Sequence, residues 1–401
     1  MWRIGNHLEK MSKKKQNIPF AMPDISKREI KLVTKSLKSG WLTSGPVTRK
    51  FENSFREISQ SKYALAVNSA TSGLHLALEA IGIKRGDLVI VPSMTFTATA
   101  EVVRYMGADP IMCDVEASTL NIDPSEIKEI LLENKKKLSK IKAIIVVHYA
   151  GVICNLKEIK KIADEYKLKI VEDAAHTLPY QFQKVEKYRK NNIAVYSFYA
   201  TKAMTTGEGG MITTNSKKIA DRISLMRLHG INRDSWNRQG NTKSWSYDIV
   251  APGFKYNLSD VLSSIGVIQL ERARKMQMKR KIIAQKYINF FENYDSINVL
   301  HKDYGLNHSW YLFVILLPAK KREQFFEKMR LKGIQCSVHF IPLYHMSYWK
   351  KRYKLRKSNF SVCEKNFQKI ISLPIYSKLS NDQREYILSS MKEILKKLDI
   401  R

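Results

Sequence analysis

The sequence predicts an α/β protein with a three-layer large domain, built on a mostly parallel seven-stranded sheet, and a smaller C-terminal α+β domain. Between residues 60 and 215, short apolar segments alternate with segments whose apolar residues recur every three or four positions. This alternation is typical of a parallel sheet covered by helices on both faces. The predicted strands of this region are 64–67, 88–92, 110–115, 143–148, 169–172, 194–198 and 210–214.

The rest of the chain has a different pattern. A long helical region is predicted from residue 256 towards residue 287, followed by a strand at 311–317, a helix at 322–332, a strand near 334–340 and a final helix from residue 382. A chain of 401 residues is long enough for two or three domains. We therefore predict a flexible basic N-terminal extension over 1–17, a large domain over 18–270 and a small domain over 271–401.

Composition restricts the expected partners and location. Lys and Arg number 69 against 37 Asp and Glu, a net charge of +32, but no nucleic-acid-binding motif accompanies them, so nucleic acid is not a predicted partner. No apolar run approaches the ~20 residues that span a bilayer, and no apolar signal core follows the lysines at 13–15, so we expect neither membrane insertion nor secretion. The four cysteines lack metal-type spacing, which predicts reduced thiols, no metal site and a cytoplasmic protein.

Residues 68–73 (NSATSG) close one predicted strand and open a helix. Small residues and hydroxyls at this point leave backbone N–H groups free to hold a phosphate, and the helix dipole adds to the attraction. The alternative is an ordinary helix N-cap formed by Ser69, Thr71 or Ser72.

Three further strand ends carry candidate groups. Asp173 follows a buried strand, where a carboxylate needs a positive partner such as a protonated pyridine nitrogen; a helix-capping role is the alternative. Lys202 follows another strand, beside hydroxyls and before a glycine-rich turn, as expected of a lysine that forms a Schiff base, with Ser197 near enough to hold a phosphate. Phe96 is placed to stack on a flat ring, although a core position is the usual role of such a residue.

These groups appear in the chain in a consistent order, each at the end of its own predicted strand. A phosphate site, a stacking ring, an acid for a ring nitrogen and a lysine for an aldehyde are what pyridoxal phosphate (PLP) requires of a protein. The sequence therefore predicts PLP as the cofactor.

The sequence resembles the DegT family of sugar-nucleotide aminotransferases, which have the fold-type-I architecture of PLP-dependent transferases. The resemblance covers residues 18 to about 398 and includes several motifs. They are 39–46 (SGWLTSGP), 147–151 (VHYAG), 253–260 (GFKYNLSD), His339 and 373–376 (LPIY). Within the family the sequence is most similar to the enzymes that aminate C4 of UDP-linked 4-keto sugars.

The resemblance implies a role for each matching residue. Lys202 would form the Schiff base and Asp173 would pair with the pyridine nitrogen, while His176 would lie near the ring hydroxyl and Phe96 would stack on the ring. Ala70, Thr71, Ser197 and, from the neighbouring subunit of a homodimer, Asn257 would hold the phosphate. Thr43, Ser44, Tyr149 and His339 are the residues expected to meet the substrate. The chain departs from the family at 177–192, which lacks the usual glycines, and at Ala203, where asparagine is frequent.

The resemblance also implies an activity. The expected reaction moves an amino group from an amino acid, by resemblance glutamate, to a nucleotide-linked keto sugar for surface polysaccharide or glycan biosynthesis. Dehydratase relatives have a histidine in place of Lys202, so that residue favours amino transfer. A non-catalytic scaffold and an amino-acid aminotransferase are two further candidates. Arg233 and Arg238 are candidates for binding the donor carboxylate, or else ordinary surface residues.

Overall fold

The computed structural model describes residues 17–232 and 246–401, and its larger part is centred on a seven-stranded sheet. The strands stand in the order β1-β7-β6-β5-β4-β2-β3. Strands β2 to β6 pair in parallel, and β7 runs antiparallel to both β1 and β6. The strand bounds are β1 Tyr63–Val67, β2 Leu88–Pro92, β3 Asp109–Cys113, β4 Ile141–Val147, β5 Lys169–Asp173, β6 Ile193–Ser197 and β7 Gly210–Thr214. The predicted mostly parallel sheet is confirmed.

Helices cover both faces of this sheet. The helix bounds in the first part of the chain are α1 Lys27–Lys38, α2 Pro46–Ser59, α3 Ala70–Ala80, α4 Ala98–Tyr105, α5 Pro124–Glu133, α6 Leu156–Glu165 and α7 Lys217–Met226. Apolar side chains of α3, α4 and α7 pack on one face, whereas those of α2, α5 and α6 pack on the other. Because successive residues of a strand point to opposite faces, Glu172 and Asp173 at the end of β5 face different layers.

A 32-residue helix, α8 (Asp260–Phe291), runs from the large sheet to the C-terminal part of the chain. Its first half packs against α1 and α2, and its second half contributes Ile283, Tyr287 and Phe291 to a separate apolar core. Residue 270, the predicted domain boundary, lies within this helix, and the domain limits stay a prediction.

The C-terminal part contains a three-stranded antiparallel sheet in the order β10-β9-β8. The bounds are β8 Asn298–Val299, β9 Phe313–Leu316 and β10 Ile370–Leu373, with helices α9 Ala319–Leu331, α10 Ser347–Tyr353, α11 Ser361–Phe367 and α12 Asn381–Lys397. Together these elements form the predicted small α+β unit.

The predicted strand near 334–340 is wrong. This segment forms only two isolated bridges, Ile18 with Ile334 and Ser337 with Ser372, so it pairs with two different partners and never builds a ladder. Beyond these bridges the chain turns towards the large sheet, where His339 and Phe340 line a cavity. The alternating apolar pattern here reflects burial at separate contacts.

Among the described residues, no helix combines the length and the apolar character needed to cross a bilayer. The same residues contain no cluster of three or more His, Cys, Asp and Glu side chains arranged to hold a metal ion. All four cysteines are free thiols.

Candidate functional site

A cavity of 320 Å³ lies beyond the carboxyl ends of the parallel strands, where ligands of open α/β sheets bind. Val147, Asp173 and Ser197 come to it from the ends of β4, β5 and β6. Tyr311, His339 and Phe340 close it from the C-terminal part of the chain. The predicted site residues that line this cavity are Ala70, Thr71, Phe96, Asp173, His176, Ser197, Lys202 and His339.

The carboxylate of Asp173 is held by two donors. The Thr99 hydroxyl donates to Oδ2 at 2.9 Å, and the Ala175 amide donates to Oδ1 at 3.1 Å. Burial raises the pKa of Asp173, although these hydrogen bonds and the charge of Lys202 act in the opposite direction. A buried carboxylate in this state is suited to a cationic partner entering the cavity. The sequence did not point to Thr99.

Lys202 follows β6 on a loop closed by its own amide, which donates to the Tyr199 carbonyl at 2.9 Å. Its ammonium nitrogen lies 4.6 Å from the centre of the Tyr311 ring, a cation–π contact. Tyr311, which was predicted only as a strand residue, therefore belongs to the candidate site.

His176 is buried in the cavity wall, between the rings of Tyr311 and Phe340 at centroid distances of 4.6 and 5.7 Å. Burial, together with the charge of Lys202, holds the pKa of His176 well below its usual range, so the imidazole is neutral. The Ala150 amide donates to its Nδ1 at 3.2 Å. A neutral ring that accepts at Nδ1 carries its proton on Nε2, which makes Nε2–H a donor.

The residues predicted to hold a phosphate, Ala70 and Thr71, lie in the first turn of α3. The Ser69 side chain caps the helix by accepting from the Ser72 amide at 3.1 Å. The amides of Ala70 and Thr71 lie in the first turn of α3, so there is no preceding helical turn whose carbonyls could accept from them. Among the described residues no other acceptor bonds these two amides. Gly210 of β7 passes close by, since a Cβ there would lie 2.9 Å from the Ala70 nitrogen.

Two more of the predicted residues lie at the edge of this cavity. Phe96 is 59% exposed, and its ring centroid is 6.0 Å from that of Phe340. The Ser197 hydroxyl accepts from the Tyr199 amide at 3.3 Å and keeps its own proton free for donation.

The segment 39–46 does not reach the cavity of its own chain. The Ser44 hydroxyl donates to the Leu258 carbonyl and accepts from Asn257 Nδ2 at 2.7 Å, while Thr43 is exposed. Asp260 accepts from the Gly45 amide at 2.8 Å and so caps α2. A Cβ at Gly45 would lie 2.1 Å from the Trp41 indole nitrogen, so this glycine is required by local packing.

Tyr149 differs from its predicted role as a substrate contact. It is completely buried, and its hydroxyl donates to the His339 carbonyl. Tyr149 therefore holds the backbone at His339 from behind, because its position on the 149–151 turn after β4 points it into the core. Nδ1 of the His339 ring forms a hydrogen bond with the Ser372 hydroxyl at 3.0 Å. Burial, together with the charge of Lys202, lowers the pKa of His339 to about 3.

A charged cluster lies on the opposite face of β5 from Asp173. Glu172 pairs with Arg189 Nε at 2.7 Å, with His148 Nε2 at 3.0 Å and with Asn192 Nδ2 at 2.7 Å. Arg189 also lies over the Phe182 ring at 3.6 Å. Burial alone would raise the pKa of Glu172, but these partners lower it to about 2. The cluster fixes the segment 177–192, where the chain departs from the family pattern.

The residues present fit PLP. The cavity combines a lysine, a buried carboxylate with a raised pKa, a neutral histidine donor and two free amides at a helix start. Its 320 Å³ is within the range of cofactor sites. Arg233 and Arg238, the candidates for the donor carboxylate, lie outside the described residues.

Comparison with known proteins agrees with this chemistry. The family model of the DegT/DnrJ/EryC1/StrS aminotransferases matches residues 23–392. The spore coat polysaccharide biosynthesis protein SpsC of Bacillus subtilis is 34% identical over 394 residues, which cover 97% of this chain and 100% of SpsC.

Two solved structures are similar over nearly the whole chain. Spr1654 of Streptococcus pneumoniae, in its pyridoxamine phosphate (PMP) form, superposes with a TM-score of 0.87 at 30% identity and covers 95% of this chain and 100% of its own. Helicobacter pylori PseC, an aminotransferase involved in the biosynthesis of pseudoaminic acid, superposes with a TM-score of 0.86 at 25% identity. The match covers 95% of this chain and 100% of PseC. The chain thus has the fold-type-I architecture that the sequence predicts, and it belongs to the DegT/DnrJ/EryC1/StrS aminotransferase family, whose enzymes use pyridoxal phosphate.

Proposed function

We propose that this protein transfers an amino group from an amino acid, glutamate in our proposal, to the keto group of a nucleotide-linked sugar, at C4 of a UDP-4-keto sugar. The observation that carries the proposal is the meeting of Lys202 and the buried Asp173 in one cavity at the strand ends. Family membership supports aminotransferase chemistry, and the names of SpsC and PseC support a sugar as the acceptor. A product used in surface polysaccharide or glycan biosynthesis fits these relatives.

When bound, PLP would supply an aldehyde and a ring that accepts electrons from the reacting carbon. The amine of Lys202 would hold the aldehyde and, once displaced by the amino donor, would move the proton at the reacting carbon as general base and acid. The carboxylate of Asp173 would balance a positive charge on the ring nitrogen. The Nε2–H of His176 would donate to the ring hydroxyl.

Four more residues would bind and orient the cofactor. The amides of Ala70 and Thr71 and the hydroxyl of Ser197 would hold its phosphate at the start of α3. The exposed Phe96 would cover one face of the ring. Binding would bury its side chain, and the apolar contact would exclude water from that face.

The overall reaction is balanced without an external oxidant or reductant, because the donor carbon is oxidised as the sugar carbon is reduced. The donor loses its amino group and becomes a 2-keto acid, and the keto sugar exchanges its carbonyl oxygen for an amine. Water taken up in the first half is released in the second. Lys202 would act in both halves, because it would take the proton from the donor carbon in the first and would deliver a proton to the former keto carbon of the sugar in the second.

The substrate part of the proposal involves a second subunit. Ser44 and Asn257 contact each other and, with the adjacent Thr43, form a cluster that does not line the cavity of its own chain. In a homodimer with shared sites, this cluster would serve the partner's cavity, with Asn257 at the cofactor phosphate and the hydroxyls at the sugar nucleotide. His339, in the cavity wall, would meet the sugar. The basic chain would attract the diphosphate from a distance.

The same proposal includes a cytoplasmic location, which the four free thiols support. A non-catalytic scaffold and a PLP-dependent dehydratase are the competing functions. An intact Lys202 and Asp173 in one cavity is unexpected for the scaffold, and a lysine at position 202 is unexpected for the dehydratase.

The test is a screen of UDP-, dTDP- and GDP-linked 4-keto sugars with glutamate, analysed by mass spectrometry. We expect a UDP-4-keto sugar to gain an amino group, with one 2-oxoglutarate formed per product. Lys202→Ala is the inactive control, and Lys217→Ala, an exposed lysine on α7, is the matched control that retains activity. A product that has lost a hydroxyl without gaining nitrogen would indicate the dehydratase.

A further inference from the structure

Arg280, on the second half of α8, is a buried cation with an unusual set of partners. Its Nε donates to the Ser309 carbonyl at 3.1 Å, and its Nη1 donates to the Ala203 carbonyl at 3.1 Å. No Asp or Glu of the described residues lies within ion-pair distance of it. Burial lowers the pKa of Arg280 to about 10, so the side chain remains charged at neutral pH. Burying a charge without an ionised partner is costly, so we infer that the positions of these two carbonyls are important for the structure.

The two carbonyls belong to the segments that meet in the cavity. Ala203 directly follows Lys202, and Ser309 stands two residues before Tyr311. Lys202 Nζ lies 4.6 Å from the Tyr311 ring centre, and both residues line the cavity. Arg280 thus joins the backbones of two segments whose side chains meet in the cavity.

The Ser309 segment also connects to His176. The Ser309 hydroxyl donates to the His176 carbonyl at 2.7 Å, and the His176 ring packs on Tyr311 at 4.6 Å. Arg280 does not line the cavity of 320 Å³, but these hydrogen bonds connect it to the backbone segments of three cavity residues, Lys202, Tyr311 and His176.

Two glutamines of α8 also contact these segments. Gln269 accepts from the Thr205 amide at 3.3 Å, and Gln277 donates to the His308 carbonyl at 2.7 Å. The Gln269 amide also donates to the Asp24 carbonyl at 2.8 Å, so it joins the Lys202 loop to the segment before α1. The guanidinium has donors fixed in a planar fork, so it bonds both carbonyls at once and fixes the spacing between them.

We propose that Arg280 is a positioning residue for Lys202, setting the distance between the Lys202 loop and the Tyr311 segment so that the lysine amine points into the cavity. The inference rests on the role proposed above for Lys202. A lysine at position 280 would keep the charge but would present one nitrogen in place of the fork, so it would hold one carbonyl and release the other.

The test measures how fast the cofactor-free protein captures PLP, with no sugar or amino donor present. In this step the Lys202 nitrogen attacks the aldehyde carbon, a C=N bond forms and the oxygen leaves as water. Borohydride reduction followed by peptide mass mapping identifies the lysine that has reacted. We expect Arg280→Lys to slow capture about tenfold and Arg280→Ala more, since each loses at least one charged hydrogen bond.

A chemical rescue separates positioning from general destabilisation. Guanidinium ion at tens of millimolar should restore a large part of the capture rate of Arg280→Ala, because the ion fits the space left by the side chain, whereas ammonium ion should not. Arg274→Ala is the matched control, since Arg274 is an exposed arginine of the same helix that contacts Tyr180, and it should capture PLP at the normal rate.

Should Arg280→Ala fail to fold, Arg280→Lys with Tyr311→Leu decides the matter. If Arg280 acts through the Lys202–Tyr311 spacing, the double variant loses less than the product of the single losses. Wild-type capture rates in folded Arg280 variants, or fully multiplicative losses in the double variant, would overturn the proposal. A reducible PLP link retained by Lys202→Ala would instead remove Lys202 from the proposed function, which is a separate outcome.

Discussion

Replacing Arg189 by methionine removes the cation that neutralises Glu172 behind the candidate site. The side chain of Glu172 is completely buried and that of Arg189 is 10% exposed, with Nε 2.7 Å and 3.0 Å from the two carboxylate oxygens. Methionine keeps the apolar contact with the Phe182 ring and leaves the carboxylate with His148 and Asn192 alone.

The magnitude follows from the pKa of Glu172, which is about 2 in the folded protein against an ordinary value of 4.5. Each pKa unit corresponds to about 1.36 kcal/mol, so the favourable environment contributes roughly 3 kcal/mol at pH 7. Breaking a buried ion pair by removing one partner typically costs about 3–5 kcal/mol. We therefore expect Arg189→Met to lower the free energy of unfolding by roughly 3 kcal/mol.

The pH dependence has a definite sign. Because the folded-state pKa of Glu172 is depressed, its stabilisation is present above pH 4.5 and is lost as the pH falls towards 2. The gap between wild type and Arg189→Met should thus be widest near pH 7 and should narrow below pH 4.5.

Urea unfolding followed by circular dichroism at pH 7 and at pH 3.5 measures both effects. Lys217→Met, which breaks the exposed Lys217–Asp221 pair, is the control and should leave the midpoint nearly unchanged. The double variant Arg189→Met with Glu172→Gln should recover part of the loss, since no buried charge is left unpaired. A loss under about 1 kcal/mol at pH 7, or a gap that does not narrow in acid, would refute the reasoning.

Three more outcomes follow from the described contacts. Asp173→Asn should lower kcat roughly 100-fold by removing the negative charge proposed to face the ring nitrogen. Thr99→Val loses the 2.9 Å bond to Asp173 and the 2.7 Å bond to the Thr95 hydroxyl but keeps the carboxylate, so it should have a smaller effect, and equal effects in steady-state assays would contradict this. Asp260→Asn should cost about 2 kcal/mol in urea unfolding because Asp260 caps α2 through the Gly45 and Thr48 amides, and an unchanged midpoint would contradict it. Co-expressed Lys202→Ala and Asn257→Ala chains should regain activity as heterodimers, each with one intact site, and activity no greater than that of the separate variants would place Asn257 outside the partner's site.

The strands of the large sheet were predictable because each is a short apolar run between polar or glycine-rich turns. The bounds of β2 and β7 agree with the prediction at both ends. The C-terminal sheet was harder, since its strands are two to four residues long and the segment 334–340 has an alternating pattern without a ladder.

The chemistry at the strand ends was predictable in part, because Asp173 and Lys202 stand at recognisable places in the sequence. The residues that bond to Asp173 and to the Lys202 loop were not predictable. Thr99 is 74 residues from Asp173, and Arg280 is 77 residues from Ala203. Such contacts depend on how the helices pack, and the spacing of residues along the chain carries no signal for them.

The segment 39–46 shows a different limit. Its glycines, serine and threonine are compatible with ligand binding, yet within one chain Gly45 and Ser44 are engaged by Trp41, Leu258 and Asp260. In the proposed homodimer this segment would serve the partner's cavity, and a single sequence does not display contacts between subunits.

The central claim, amino transfer to a nucleotide-linked sugar at Lys202, is tested most directly by a single half-reaction. The protein is loaded with PMP and mixed with a UDP-4-keto hexose, with the free keto sugar in a parallel sample, and absorbance is followed in a stopped-flow instrument. We predict that the nucleotide sugar converts the spectrum to that of the Lys202-bound PLP form within one turnover, that the free sugar reacts far more slowly, and that Lys202→Ala never gives the lysine-bound spectrum. Equal rates with the free sugar would contradict the nucleotide requirement, and a lysine-bound spectrum in Lys202→Ala would contradict the assignment of the lysine.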